Sequence, residues 1–156
     1  MIATGDRPVT RGSWIEGLLQ RETLPVLEAS LSFAHQRQLT IGHNIANVNT
    51  PYYKREVLPD NRFRGILEDA IRDRNANHWN EFSPGGGFDL RWDRNYVLAN
   101  RIPGRDQGPE RHDENNVVIE HEMADLAKNT LYIQTLQQLY KKQTSQLKMA
   151  LRDRMG

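Results

Sequence analysis

The stretch Gly42-His43-Asn44-Ile45-Ala46-Asn47-Val48-Asn49-Thr50-Pro51-Tyr52-Tyr53-Lys54 closes an apolar-periodic segment near the N-terminus. Upstream of it, Leu24, Leu31, Gln38 and Ile45 fall seven apart, and so do Leu27, Ala34, Ile41 and Val48. The two rows alternate by three and four, the spacing of a coiled-coil-like helical seam. Pro25 suits a first helical turn, where its missing N–H has no partner to lose. Pro51 disfavours helical geometry at Thr50, so the helix should stop near Asn49, with Asn47 or Asn49 left-handed at its end.

A second periodic segment fills the C-terminus. Ile119, Leu126, Ile133, Tyr140 and Leu147 keep an unbroken seven-residue interval, supported by Met123, Leu136, Leu139 and Leu151. Asn115 or Asn116 is placed to cap its start. Glu120, Glu122 and Asp125 lie in the early turns, and Lys141, Lys142, Lys148, Arg152 and Arg154 in the late ones, which suits the helix dipole at both ends. A helix over Val117–Arg154 would run on the order of 55 Å. So long a seam calls for another helix beside it. The two segments are therefore predicted to pair antiparallel within the chain.

The chain between them changes character. Phe63, Ile66, Leu67, Ala70 and Ile71 follow helical spacing. Ser83-Pro84-Gly85-Gly86-Gly87 breaks the chain, and Leu90 and Trp92 alternate with charges as a half-buried strand does. The predicted fold is mainly α, an antiparallel coiled-coil-like bundle of the long N- and C-terminal helices with a small irregular or β insert. Its boundaries are 1–54 for the N-terminal helical segment, 55–115 for the insert and 116–156 for the C-terminal helix. Residues 1–22 read as a weakly ordered lead-in around Trp14, Ile15, Leu18 and Leu19.

Composition narrows the function. The apolar fraction is 37% and the formal net charge +1, and mean hydropathy is −0.76. This is enough apolar matter for helical seams but little for a large core, and no global field draws the chain to nucleic acid or an acidic membrane. The insert carries ten Arg against twelve Asp and Glu, so the mixture of Arg91, Trp92, Arg94 and Tyr96 lacks the basic footprint of a base-stacking surface. No cysteine is present, which removes disulfides, thiolate catalysis and Cys-ligated zinc. Met1-Ile2-Ala3-Thr4-Gly5-Asp6-Arg7-Pro8 lacks the apolar core of a secretory signal. The expected location is cytosolic, or reached by a route that does not use that signal.

Candidate chemistry is thin. His121-Glu122-Met123-Ala124-Asp125 has the outline of an H-E-x-x-H zinc helix with Asp in the second His position, yet no third ligand stands out. The polar residues there read more simply as a solvated face and an acidic first turn. Gly85-Gly86-Gly87 lacks the Lys-Ser/Thr of a phosphate loop. His35, His43, His78, His112 and His121 show no spacing with Ser or Asp that would make a nucleophile and base. No enzyme, cofactor, metal, nucleic acid or small-molecule substrate is expected. Asn44 and Asn47, one turn apart beside the seam, leave two readings open. They are end-fraying before Pro51, or their amides bond across a helix–helix contact and fix its register.

Asn44-Ile45-Ala46-Asn47-Val48-Asn49-Thr50-Pro51-x-Tyr53-Lys54 resembles the N-terminal signature of the bacterial flagellar rod, hook and hook-associated axial proteins, N-I-A-N-x-x-T-P-G-Y/F-K. Tyr52 stands where that family has glycine. Asn116-Val117-Val118-Ile119-Glu120-x-Glu122-Met123-Ala124-x-Leu126-Ala127-x-Asn129, followed by Tyr132, resembles the terminal helix of the proximal rod proteins. The resemblance covers about residues 24–56 and 113–152. The short insert fits the rod proteins better than the hook and distal-rod proteins, which carry larger central domains. The run Glu122-Met123-Ala124-x-Leu126-Ala127-x-Asn129 and Phe63 fit one proximal rod type better than its sibling, in which a Pro-Asn-Val start to the last helix is expected where Asn115-Asn116-Val117 stands.

The resemblance implies a structural subunit of the basal-body rod, exported without a cleaved secretory signal through the flagellar type III apparatus into a periplasm-spanning tube. Its implied partners are other copies of itself, other rod proteins, the membrane-ring adaptor and the export gate. The implied assembly seam is Leu27, Leu31, Ala34, Ile41, Ile45, Val48, Ile119, Met123, Leu126, Ile133, Tyr140 and Leu147. The rival from another class is a cytosolic helical adaptor or chaperone that grips a client helix.

Overall fold

A computed structural model describes residues 23–76, 90–93, 96–104 and 114–155. These residues are mainly helical, with two small strand pairs. Helix α1 spans Leu24–Ala46, α2 Asp60–Ala76 and α3 Ile119–Met155. Strand β1 (Glu56–Val57) pairs antiparallel with β4 (Ile102–Pro103), Val57 opposite Ile102. Strands β2 (Leu90–Asp93) and β3 (Tyr96–Ala99) form an antiparallel hairpin with Leu90 opposite Ala99. The lead-in cluster at Trp14–Leu19, the triple glycine, His78 and His112 lie outside the described residues.

Helix α1 starts as its sequence dictates, with Pro25 in the first turn and Thr23 giving no side-chain cap. It ends at Ala46, where Asn47 is the C-cap with φ −102°. The expected left-handed residue is therefore not Asn47 or Asn49. Among the described residues, the non-glycine positions with positive φ are Tyr52 at 61° and Glu114 at 58°. The left-handed step falls at Tyr52, where the flagellar axial signature has glycine.

Two faces of α1 are covered by different material. Ala29 and Phe33 point into an apolar cluster with Leu58, Phe63, Leu90 and Val97, edged by Ile66, Leu67 and Ala99. The rings of Phe33 and Phe63 stack at 4.1 Å and 3°. Leu90, Val97 and Ala99 reach this cluster from one face of the hairpin, because alternate residues of a strand share a face; Arg91 and Leu98 on the other face are exposed. The outer edge of β3 does not go unpaired. Ser32 Oγ donates to Val97 O at 3.0 Å and accepts from Val97 N at 3.2 Å. One turn on, Gln36 accepts from Ala99 N at 2.8 Å and donates to Val97 O. Helical side chains thus satisfy the strand edge that would otherwise be an open template.

The other covered face of α1 meets α3. Asn44 bonds to Glu122, Asn129 to Ala34 and Tyr140 to Glu28. Residue numbers rise on one helix as they fall on the other, so the pair is antiparallel. The seam differs from the predicted one in register. Among the described side chains of α3 the buried positions are Glu122, Asn129 and Leu136, successive members of one heptad row, with Leu126, Ile133, Tyr140 and Leu147 half-buried beside them. Met123 is 53% and Ile119 41% exposed, so neither enters the contact with α1, and Leu139 is exposed as well. On α1, Ala34 and Ile41 are buried as expected, while Leu27, Leu31, Ile45 and Val48 are half-buried. Ser30 and Asn44 are buried instead. An apolar heptad count finds Leu136 but not the row it belongs to, because the other two buried members are Glu122 and Asn129.

Candidate functional site

The chain just past α1 folds into a short series of turns. Asn47 Nδ2 donates to His43 O at 2.8 Å, and Thr50 Oγ1 to Asn47 Oδ1 at 3.1 Å. Thr50 N then bonds to Asn47 O and Tyr53 N to Thr50 O. Asn47 therefore serves its own helix end, an Asn binding nearby backbone as turn residues do. Pro51 and Tyr52 sit at the exposed tip, with Tyr52 73% exposed.

Asn44 does something different. Its Nδ2 donates to Glu56 O at 2.8 Å and to Glu122 Oε2 at 3.1 Å. Its Oδ1 accepts from Tyr53 OH at 2.9 Å and from Glu56 N at 3.0 Å. All four hydrogen-bonding positions of the amide are used. One side chain joins α1, the turn, β1 and α3. Of the two open readings, Asn44 takes the cross-helix one; Asn47 takes neither, since its amide bonds within an ordered helix end rather than fraying or crossing to α3.

Glu122 is the partner that sequence reasoning misplaced. It is 0% exposed, not part of a solvated face, and both carboxylate oxygens are engaged. Oε2 takes Asn44, and Oε1 takes Arg55 Nε. The Arg55 guanidinium reaches on to Asp125 Oδ2 at 3.2 Å, and its backbone N donates to Asn116 Oδ1 at 2.6 Å. A buried carboxylate is tolerable only when paired and hydrogen-bonded, and Arg55 with Asn44 meets both conditions. His121, next in sequence, is exposed. Helical geometry turns neighbours about 100° apart, so they need not share a face. Among the described residues no group of three or more His, Asp and Glu is placed to hold a metal.

Helix α3 starts past the expected cap, Asn115 or Asn116: Val118 O accepts its first bonds, from His121 N and Glu122 N, and the two asparagines brace the turn. Asn115 Nδ2 lies within 3.2 Å of the carbonyls of Asn47, Val48 and Thr50, while its Oδ1 accepts from Val117 N. Lys54 Nζ donates to Glu114 O at 2.7 Å. Gly104 N donates to Arg55 O at 2.8 Å, and a Cβ at Gly104 would stand 3.3 Å from that oxygen. Glycine lets β4 approach this close.

Tyr53 titrates above its ordinary value, first because burial disfavours the phenolate and then because Glu56 is near. A protonated Tyr53 is what Asn44 needs as a donor. Asp60 also titrates above its ordinary value, because burial disfavours the charged form against the pull of Arg37, which it pairs at 3.0 Å; its Oδ1 is buried without a hydrogen-bond partner.

Asn44, Tyr53 and Lys54 of the N-terminal motif and Asn116 and Glu122 of the C-terminal one thus come together in one bonded joint. Ala46, Pro51 and Tyr52 remain exposed. Arg55 and Asn115 belong to the joint and were not among the expected site residues. Arg55 sits in a stretch with no apolar periodicity, and Asn115 could be read only as a cap. No protein-family model and no curated protein matches the chain.

Proposed function

We propose that the chain is a structural subunit of the bacterial flagellar proximal rod, of the FlgB type rather than its sibling FlgC. The observation that carries this reading is the joint. Two stretches that resemble axial-protein signatures, far apart in sequence, bond to each other through Asn44–Glu122 and Arg55–Asn116. A client-binding adaptor has no need of an Asn-rich Thr-Pro turn locked to the start of its last helix. The exposed Ile119, Met123, Leu131, Tyr132, Leu139 and Met149 of α3, with the half-buried Leu31 and Ile45 of α1, leave apolar surface for neighbouring copies. Such contacts, heterologous and non-closing, build a helical tube.

In this reading the antiparallel helices extend into coiled-coil-like contacts between copies. The tube crosses the periplasm, transmits torque and conducts exported subunits. The membrane-ring adaptor and export gate lie below it and other rod proteins above. The subunit itself would leave the cell interior through the type III apparatus and perform no catalysis.

The test is fractionation of cells carrying the tagged full chain. The protein should co-purify with detergent-resistant basal bodies, and Leu126→Asp should remove it from them and abolish motility. Recovery of the wild-type chain only in the soluble fraction, with motility unaffected by its deletion, sinks the reading.

A further inference from the structure

We infer that residues 47–57 form a clasp that opens as a unit of its own, closed by Glu122 and Asn115, while the apolar core stays folded. This stands whether or not the chain is a rod subunit. The clasp contributes no residue to the apolar cluster, which resumes at Leu58. What closes it is directional. Glu122 holds Arg55 and, on α1, Asn44, which in turn holds Tyr53 and Glu56. Asn115 holds the carbonyls of Asn47, Val48 and Thr50, Asn116 holds Arg55 N, and β4 pairs with Glu56 and Val57.

At its tip Tyr52 keeps a left-handed φ of 61° while most of its side chain faces solvent, so little packing offsets the strain. Segments with few buried apolar contacts and exposed backbone bonds open at lower free energy than the core. Opening would uncover the Glu122 carboxylate, the buried residue of the otherwise exposed first turn of α3. Glu122 is a positioning residue for the clasp, and Tyr52 is the strained element that favours its release.

The experiment is amide hydrogen exchange on the full chain, read residue by residue. In Glu122→Gln the amides of Thr50, Tyr53, Arg55, Glu56 and Gly104 should exchange roughly tenfold faster or more, since a buried donor loses its charged acceptor. The amides of Phe33, Gln36 and Phe63 should not change. Tyr52→Gly should slow the first set roughly twofold, the removed left-handed penalty outweighing the extra freedom of the opened chain, and leave the second alone. Equal acceleration of both sets in Glu122→Gln, or of neither, overturns the inference. If that variant does not fold, the wild type decides through urea: clasp amides that follow the core's urea dependence overturn it, and clasp amides nearly insensitive to urea support it.

Discussion

Helix α1 is held on one face by apolar packing under the hairpin and at its C-terminal end by a polar joint, and the two tolerate change differently. Around Phe33 the partners are Phe63, Leu58, Leu90 and Val97, and what matters is filled volume. Around Asn44 the partners are Tyr53, Glu56 and Glu122, and what matters is which atom donates and which accepts. Apolar burial is non-directional and degrades with lost area. A satisfied buried polar network degrades by whole groups, because each partner left behind is stranded. A conservative change should therefore be mild in the first region and severe in the second.

The largest loss is expected from Phe33→Ala, which empties the centre of the apolar cluster and should cost about 3–5 kcal/mol by thermal melting. Phe33→Leu should cost well under half as much. A Leu variant as damaging as the Ala one would mean that ring stacking at this site outweighs volume.

Next comes Glu122→Gln, which keeps the shape and removes the charge beside Arg55. The expected cost is about 1–3 kcal/mol. A neutral outcome would break the comparison, since it would make the joint as permissive as the core. Asn115→Ala should fall in the same range or lower, and lie closer to additive with Phe33→Ala than with Glu122→Gln, because distant sites couple weakly.

Alkaline pH separates the regions without mutation. Tyr53 has its folded pKa raised above the ordinary value of 10. Its contribution is fully present below the unfolded pKa and is lost as pH rises through the folded one. Melting temperature should therefore fall above about pH 10, and Tyr53→Phe should flatten that limb. An unchanged limb in Tyr53→Phe would assign the effect to other groups.

The smallest effect is expected at the tip. Tyr52→Gly removes the left-handed penalty but raises the entropy of the unfolded chain, for a net change on the order of 0.5 kcal/mol. A loss above about 1 kcal/mol would show that the Tyr52 ring has a packing role.

The contrast also explains what could be read from sequence. Seven-residue spacing located both long helices, and the spacing of Phe63, Ile66, Leu67 and Ala70 located α2, because amphipathic periodicity records which face is buried. Leu90 and Trp92 marked a strand by the same logic. The register of the α1–α3 contact was not legible, since the row that faces inward carries Glu122 and Asn129 and an apolar count passes over them to Met123. The pairing of β1 with β4 was equally hidden, as two-residue strands leave no alternation to detect. The Asn-rich turn announced itself, but not its partners, because polar complementarity is set by three-dimensional placement.

The bond between Asn44 and Glu122 spans 78 positions of sequence. A ribosome that has just delivered Asn44 must add all of them before the acceptor exists. At synthesis rates of roughly 5–20 residues per second, that delay is on the order of 4–16 s. Once the turn has been made and has cleared the ribosome, the first half of the joint waits on the nascent chain without its carboxylate, open to whatever else can bind an asparagine-rich turn.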